Sequence, residues 1–275
     1  MMKEKIEALS IDEICERVKM SPEVVNAFLN LLKRSMEPLS KRISVIENNI
    51  MRYYVVERRG VGILKTEYGK FWQYSFTIDD PWEKYSVIVK AELDTAQLIP
   101  VFKNKDRLVL RIDSGCETGQ VFGDLTCECR EQLHLTLKTL AEIGEGMIIN
   151  IPHQDGRGMG LTFKLATLWM QDVLGVNTVE SASLLAPGGV IDIRTYSGVI
   201  CILKFFGIPE TCKINLATNN PKKAEVFAEN GFTVMEYIPV VIEPNEHTEA
   251  HLKAKQQYLG HKDLIKEGDR PDENQ

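Results

Sequence analysis

The chain has 275 residues, of which 44% are hydrophobic, and a formal charge of −6. This length and composition allow one large domain or two ordinary ones with a substantial core. No apolar run approaches the roughly 20 residues of a membrane span. The start, MMKEKIEALS, lacks the apolar stretch of a signal peptide, so we expect a cytoplasmic protein. The acidic balance argues against a general nucleic-acid binder but allows a local basic pocket.

Residues 1–50 differ in pattern from the rest of the chain. Apolar residues recur at helical spacing in SIDEICERVKM and in SPEVVNAFLNLLKRSMEPL, which predicts two short helices. Ser21 suits an N-cap, with a proline at the first helical position. We expect a helical N-terminal extension over 1–50 that packs on the main domain or on a partner subunit. A DNA-binding helix-turn-helix is the less favoured alternative, because the second helix offers little positive charge.

Strand and helix patterns alternate from residue 51 to about 265. Strand patterns come first, in YYVVE, FWQYSFTI, YSVIVKAEL and RLVLRI. Helical patterns follow in REQLHLTLKTLAEIG, LTFKLATLWMQDVLG, GVICILKFFG, PKKAEVFAENG and EAHLKAKQQYLG, between the strands GMIINIPH, GGVIDIR, KINLAT and FTVMEYIPVVIEP. This order predicts a mixed α/β domain over 51–265, with an antiparallel first part and a βα-alternating second part. We expect the tail, 266–275, to be disordered.

Three of the six cysteines, Cys116, Cys127 and Cys129, form a Cys-x10-Cys-x-Cys cluster. Cytoplasmic thiols stay reduced, so the cluster favours a metal or catalytic site over disulfides. Thiolates suit zinc. His134 would approach from an awkward angle within the following helix, so we favour three thiolates with an open position for water over a closed four-ligand site. Three unrelated buried thiols are the alternative.

A glycine-rich stretch, HQDGRGMGL at 153–161, follows a predicted strand and opens a predicted helix. Such a turn can present backbone N–H groups to an anion, and Arg157 can add a bidentate charge. The signal is weak by itself, because glycine-rich turns between a strand and a helix are often only tight turns.

Two further stretches carry charge at places where chemistry is possible. In ATNNPKKAEVF, Thr218, Lys222 and Lys223 stand at a predicted helix start, where they would meet a phosphate. The alternative there is a capped surface helix with solvated lysines. In DIR, Asp192 and Arg194 would point to the same face of a predicted strand. A carboxylate beside a guanidinium is usually a plain ion pair.

Together these stretches resemble the GTP cyclohydrolase II family, the enzymes that begin riboflavin synthesis. The similarity runs from about Tyr53 to His261. It is carried by TEYGKFWQYSF, RIDSGCETGQVFGDLTCECREQL, QDGRGMGL, NTVE, DIR, TNNPKKAEVF and HLKAKQQYLGH. The cysteine spacing and the TNNPKK segment are the most specific parts, and their common order argues against chance agreement.

The resemblance implies a role for each matching position. Cys116, Cys127 and Cys129 would hold one zinc ion, and water activated by it would attack C8 of the guanine ring, which opens and can lose formate. Asp192 matches the family's proton acceptor, and Arg194 matches its nucleophile, which attacks the α-phosphate and releases pyrophosphate. Positions that match nucleotide contacts are Arg111, Ser114, Gln132, Asp155, Gly156, Arg157, Thr178, Thr218 and Lys223. Magnesium would accompany the triphosphate, and the protein would be a homodimer.

The chain departs from the family pattern at the site. It reads DSGC where the family has HSEC, so Asp113 and Gly115 replace a histidine and a glutamate. Asp155 stands where the family has the longer glutamate. Leu168, four residues after Lys164, stands where the family has a tyrosine. A leucine cannot hydrogen-bond or shuttle a proton, which favours an enzyme that stops at the formamide stage.

Two alternatives to that interpretation stay open. One is a standard GTP cyclohydrolase II that releases formate. The other is a nucleotide-sensing regulator with an N-terminal helix-turn-helix, although a pure sensor has no need of the complete set of Asp192, Arg194 and three cysteines. Outside the site, we expect Trp169 to serve packing, Cys201 and Cys212 to be inert buried thiols, and the histidines of the polar C-terminal stretch, His247, His251 and His261, to be solvated.

Overall fold

The computed structural model describes residues 10–261 and residue 264, with the backbone alone at Pro81, Trp82, His153, Ala250 and His251. Residues 1–9 of the predicted extension and the predicted disordered tail lie outside the described residues. Within the described part of the chain, no helix is long and apolar enough to cross a membrane.

An eight-stranded sheet organises the chain, in the order β1-β2-β3-β4-β8-β7-β9-β10. Its first half is an antiparallel meander, and β8 pairs antiparallel with β4. The second half is parallel, with β7 between β8 and β9, and β10 beside β9. The predicted mixed α/β architecture is therefore confirmed. The strands are β1 Leu39–Glu47, β2 Ile50–Thr66, β3 Gly69–Ile78, β4 Asp80–Lys90, β5 Glu92–Asp94, β6 Ile99–Val101, β7 Arg107–Asp113, β8 Gly146–Asn150, β9 Lys213–Ala217 and β10 Thr233–Ile238.

Helices connect the parallel strands and flank the meander. The predicted ends of the long helices at Gly144 and Gly175 are confirmed, since both glycines cap a helix in the left-handed conformation. The α-helices are α1 Ile11–Val18, α2 Pro22–Ser35, α3 Glu117–Gln120, α4 Cys129–Ile143, α5 Gly160–Leu174, α6 Thr178–Leu185, α7 Ser197–Phe205, α8 Glu225–Glu229 and α9 Glu249–Leu259. Shorter 3₁₀ turns occupy Pro152–Gly158, Pro187–Gly189 and Pro221–Ala224.

The sheet buries apolar side chains on both of its faces. On one face, the apolar helix α7 packs against Tyr74, Phe76, Leu110 and other strand residues. On the other face, α4 supplies Leu137 and Leu140, which pack with Phe71 and Ile148. Because side chains alternate along a strand, this two-sided core fixes the register of the central strands. Because β7 pairs in parallel with both β8 and β9, the carboxyl ends of these three strands are neighbours.

The N-terminal region contains a strand that the sequence interpretation missed. The predicted helices are present as α1 and α2, which pack together through Ile11, Ile14, Val25 and Leu29. Residues 39–47 were expected within the helical extension, but they form β1, the edge strand paired with β2. Ile43 and Val45 bury one face of β1, which is the period-2 alternation of a half-buried strand.

The exposed surface of α2 also bears on the helix-turn-helix alternative. Val24 and Phe28 lie exposed on this helix. A helix that reads DNA needs basic side chains on its free face. Arg34 is the one basic side chain of α2 that lies exposed, and Glu23, Val24 and Phe28 are exposed with it, so α2 does not present the basic face that DNA binding needs.

The predicted strand GGVIDIR is wrong. Pro187–Gly189 is a 3₁₀ turn, and residues 190–196 have no regular secondary structure. This segment is fixed instead by a hydrogen bond from the Ile193 amide to the Arg157 carbonyl oxygen (3.1 Å). The segment therefore lies against the glycine-rich turn, outside the sheet. Asp192 and Arg194 consequently meet through a local turn and not on a strand face.

Candidate active site at the carboxyl ends of three parallel strands

The loops that follow β7, β8 and β9 meet at one edge of the sheet. Ligands bind at the carboxyl ends of parallel strands in open α/β sheets, because the connecting loops converge there. Here the loops enclose a cavity whose lining includes Cys116, Arg157, Lys164, Arg194, Lys223 and His261. We call it the site cavity. It brings together every site residue predicted from the sequence except Asp192, which is hydrogen-bonded to the cavity residue Arg194.

The three clustered cysteines form a compact trio of sulfurs. Their Sγ atoms all lie within 4.8 Å of one another, and those of Cys116 and Cys127 are 3.4 Å apart. Tetrahedral zinc with bonds of about 2.3 Å to sulfur places its sulfurs about 3.8 Å apart, so the trio fits zinc. Among the described residues, no further His, Cys, Asp or Glu joins the group. The Nδ1 atom of His134 lies instead 3.1 Å from the Tyr68 hydroxyl, which favours an open fourth position.

Lys164 supplies positive charge to the sulfur trio. Its Nζ lies 2.6 Å from the Cys116 Sγ and 3.5 Å from the Asp155 Oδ1. Hydrogen bonds from the Cys127 and then the Cys129 thiol lower the pKa of Cys116, while the bond to Cys116 raises the pKa of Cys127 to about 12. Burial lowers the pKa of Lys164, but the sulfurs of Cys127 and Cys116 outweigh burial and raise it. A lysine cation thus stabilises negative charge on the sulfurs.

The glycine-rich turn after β8 is built around Asp155. Its carboxylate accepts hydrogen bonds from the Gly156 amide (2.7 Å) and the Glu117 amide (3.2 Å). The turn therefore uses the Gly156 N–H for its own structure, and that amide is not available to an anion. Arg157, in the left-handed conformation at φ 61°, donates from one terminal nitrogen to the Thr178 carbonyl oxygen (3.0 Å). Its other terminal nitrogen is buried and has no partner among the described residues.

Arg111, on β7, and Lys223, in the turn that follows β9, are two further cations of the site cavity. Lys223 is buried and donates to the Ile112 carbonyl oxygen (2.7 Å), whereas its neighbour Lys222 is exposed. Burial, and then the charges of Arg111 and Arg194, hold the pKa of Lys223 well below its ordinary value. The positive charges of Lys223, Arg111 and Arg194 repel one another, so a bound polyanion would lower the electrostatic energy of the group.

Neighbouring side chains hold Arg111 and Thr218 in place within this group. Arg111 donates to the Gln132 Oε1 (3.0 Å), and its Nε is buried with no partner within the described chain. Thr218 is buried, and its hydroxyl oxygen accepts from the Asn220 amide (3.1 Å). The Arg111 guanidinium is thus oriented with hydrogen-bonding capacity to spare, as a binding residue requires.

Arg194 lies in the site cavity with Asp192 as its ion-pair partner. Its Nε donates to the Asp192 Oδ1 (2.9 Å), and its NH1 lies 3.4 Å from the Ser114 hydroxyl oxygen. Burial raises the pKa of Asp192, but hydrogen bonds from Arg194 outweigh burial and lower it. Burial likewise lowers the pKa of Arg194, and the bonds to Asp192 outweigh it and raise that pKa. Each partner thus stabilises the charge of the other.

Comparison with known proteins shows the family to which this chain belongs. Residues 57–239 match the model of the family described as GTP cyclohydrolase II. The chain belongs to the GTP cyclohydrolase II family. The GTP cyclohydrolase-2 of Picrophilus torridus is 34% identical over 198 residues, which cover 72% of this chain and 94% of that protein. The GTP cyclohydrolase-2 of Streptomyces coelicolor is 30% identical over 223 residues, which cover 81% and 94%.

Longer relatives match as well. The riboflavin biosynthesis protein RibBA of Phocaeicola vulgatus is 33% identical over 204 residues, which cover 74% of this chain and 46% of that protein. The chain therefore spans about half the length of the RibBA proteins it matches. The family resemblance read from the sequence is confirmed by these matches.

The departure from the GTP cyclohydrolase II pattern at DSGC has a structural basis. Asp113 is buried, and its Oδ1 accepts from the Gly115 amide (3.1 Å), Gln120 (2.8 Å) and Asn150 (2.7 Å). Gly115 has φ 61°, and a Cβ there would lie 2.4 Å from the Cα of Pro152. No larger residue fits this backbone, because two loops touch at this point. This chain therefore has no carboxylate at residue 115, but it has one at residue 113, which holds Gly115, Gln120 and Asn150 together by hydrogen bonds.

Gln154, Lys255 and His261 are among the cavity residues that the sequence interpretation missed. Gln154 is buried, donates to the Thr195 carbonyl oxygen and has an Oε1 without a partner among the described residues. Lys255 and His261 also line the cavity, so the prediction that His261 is solvated is wrong. Gln154 adjoins the recognised turn, and its position was a usable signal. No signal in the sequence marked Lys255 and His261, because a polar helix with lysines is typical of solvated surface.

Proposed function

We propose that this protein is a zinc-dependent hydrolase that opens the imidazole ring of GTP, or of a related purine nucleoside triphosphate, at C8 and releases pyrophosphate. The observation that carries the proposal is the sulfur trio, which no fourth potential ligand joins among the described residues, in the same cavity as Arg157, Arg194 and Lys223. Family membership and the names of the relatives support GTP as the substrate. A zinc ion held by Cys116, Cys127 and Cys129 would supply Lewis acidity and activate water.

The chain's own residues have separate tasks in this proposal. Arg157 and Lys223 bind phosphate oxygens and orient the nucleotide. A nitrogen of Arg194 attacks the α-phosphorus, an N–P bond forms, and the P–O bond to pyrophosphate breaks. The proton lost by Arg194 passes to Asp192, the carboxylate hydrogen-bonded to it. Because the ion pair favours the protonated guanidinium, we expect this proton to move as the N–P bond forms and not before.

A trapping experiment tests the arginine step. The protein is quenched in acid-free denaturant during turnover and digested, and its peptides are weighed by mass spectrometry. A peptide containing Arg194 should carry the added mass of a nucleoside monophosphate or its ring-opened form. The Asp192→Asn variant should show a reduced yield of this adduct. Full turnover by an Arg194→Lys variant would contradict the nucleophile assignment.

The nature of the product depends on Leu168. This leucine lines the site cavity one helical turn beyond Lys164, and it offers no hydroxyl group. We propose that the product keeps its formyl group as a formamidopyrimidine nucleotide. The relatives named GTP cyclohydrolase-2 and RibBA support the formate-releasing reaction equally well, so the product must be identified directly. Stoichiometric formate from GTP would contradict the formamide proposal, and loss of purine absorbance without formate would support it.

We also propose that magnesium accompanies the triphosphate and that the chain works as a homodimer. Magnesium would neutralise charge as pyrophosphate leaves. For the dimer, the support is exposed apolar surface: Trp169, expected to pack, is 75% exposed, as is Phe122. Light scattering should give twice the chain mass, and a Trp169→Glu variant should shift that mass toward the monomer. A wild-type monomer at micromolar concentration would contradict the dimer.

A further inference from the structure

The C-terminal helix α9 closes one side of the site cavity. Lys255 and Leu259 of this helix, and His261 just beyond it, line the cavity together with Arg194 and Lys223. The helix is anchored in the body of the protein, since Leu252 and Ala254 are buried. It is therefore a wall of the cavity and not a surface appendage.

The position of His261 is fixed on both sides along the chain. Before it, the Lys255 Nζ pairs with the Glu128 Oε1 at 2.5 Å. Gly260 ends the helix with φ 68°, which turns the chain back toward the cavity. After it, the Leu264 amide donates to the Gln256 Oε1 (3.0 Å), and the Leu264 side chain is buried. These contacts hold the imidazole at the cavity.

The charged groups that act on His261 are three cations, Lys255, Lys223 and Arg194, and one carboxylate, Glu128, which opposes them. Burial, and then the charges of Lys255, Lys223 and Arg194, lower the pKa of His261 to about 3. Its imidazole is therefore neutral at pH 7. A neutral imidazole carries one N–H donor and adds no charge to the cationic group. In this place it can hydrogen-bond a phosphate oxygen that the surrounding cations attract.

We propose that His261 is a substrate-binding residue that donates a hydrogen bond to the polyphosphate of the nucleotide, beside Arg194 and Lys223. The proposal rests on the function proposed above, because that function assigns Arg194 and Lys223 to the phosphate end. It adds to that function a contact from the C-terminal segment. It also assigns the Glu128–Lys255 ion pair as the link that positions this segment against the cysteine loop, since Glu128 lies between Cys127 and Cys129.

Two inert probes separate the phosphate end of the cavity from the base end. Inorganic tripolyphosphate carries the charge of the nucleotide without its base, and guanosine carries the base without phosphate. Their dissociation constants are measured by calorimetry on the zinc-loaded full chain, for the wild type and for His261→Ala, His261→Gln and His247→Ala. His247 is the control, because it is exposed outside the cavity. Circular dichroism and metal content establish that each variant is folded.

A hydrogen bond to a charged group predicts that His261→Ala weakens tripolyphosphate binding by about tenfold to a hundredfold. His261→Gln, which keeps an N–H donor, should recover part of this loss. Guanosine binding should not change, and His247→Ala should match the wild type. An unchanged dissociation constant for tripolyphosphate in His261→Ala, or an equal loss for guanosine, overturns the proposal.

The two proposals can fail separately in this design. If the wild type converts GTP while His261→Ala binds tripolyphosphate normally, the His261 contact is wrong and the proposed function stands. If the wild type does not convert GTP but His261→Ala loses tripolyphosphate binding, the proposed reaction is wrong and His261 is still an anion-binding residue. In steady-state assays with GTP, the contact predicts a raised KM for His261→Ala.

Discussion

Replacing Lys255 with methionine would remove the buried ion pair with Glu128 that joins the C-terminal helix to the cysteine loop. The Lys255 and Glu128 side chains are 17% and 4% exposed. Burial lowers the pKa of Lys255, but the Glu128 carboxylate outweighs burial and raises it, so Lys255 is a cation at pH 7. In Lys255→Met the buried carboxylate of Glu128 loses this cation next to the sulfurs of Cys127 and Cys129.

We expect Lys255→Met to lower the free energy of unfolding substantially, because the ion pair is buried. Removing one partner of a buried ion pair costs about 3–5 kcal/mol, since the remaining charge stays buried without that partner. Lys253→Met on the same helix is the matched control, because Lys253 pairs with Glu249 and these side chains are 58% and 50% exposed. An exposed pair of this kind contributes less than about 1 kcal/mol. Adding Glu128→Gln to Lys255→Met should recover most of the lost stability.

Urea denaturation of the zinc-loaded protein, followed by circular dichroism, measures these differences. The free energy of unfolding is obtained by linear extrapolation for the wild type, both single variants and the double variant. Tripolyphosphate affinity on the same samples should fall in Lys255→Met and not in Lys253→Met, because His261 loses its support. Equal stability of Lys255→Met and Lys253→Met would refute the reasoning that this pair holds α9 in place.

Three further outcomes follow from the site. Cys127→Ser should lose bound zinc and turnover while some nucleotide binding persists, and unchanged turnover in this variant would rule out the zinc mechanism. Leu168→Tyr should restore formate release if the missing hydroxyl explains a formamide product, with formate assayed enzymatically. The pKa of His261 is lowered from 6.5 to about 3, so below pH 6.5 the unfolded chain binds a proton that the folded chain does not. Stability should therefore fall from pH 7 to pH 5 less steeply in His261→Gln than in the wild type, and equal slopes would contradict this.

Much of the site could be predicted from the sequence because it is built from short segments. The spacing of the cysteines placed three sulfurs within one short loop and the start of α4, and the structure brings them within 4.8 Å of one another. The TNNPKK segment predicted a cationic helix start, although only the structure separates buried Lys223 from exposed Lys222. Strand periodicity predicted the meander and the parallel strands, because their buried faces alternate.

What the sequence did not reveal depends on contacts between distant segments. Lys255 and Glu128 are 127 residues apart, and nothing local to either predicts that they meet. His261 follows a polar helix, so periodicity favours exposure, yet Gly260 turns it into the cavity. The segment 190–196 has a strand-like composition, but it packs on the glycine-rich turn instead of pairing in the sheet. Tertiary packing decided each of these cases against the local pattern.

The central claim is that the sulfur trio holds a metal that opens a purine ring beside Arg194. The most direct measurement combines metal content and product mass on one sample of purified protein incubated with GTP and magnesium. The account predicts one zinc per chain, pyrophosphate, and a ring-opened nucleotide, with both zinc and product lost in Cys127→Ser. Protein that converts GTP at full rate after its metal has been removed, or zinc-loaded protein that leaves the purine ring intact, would contradict it.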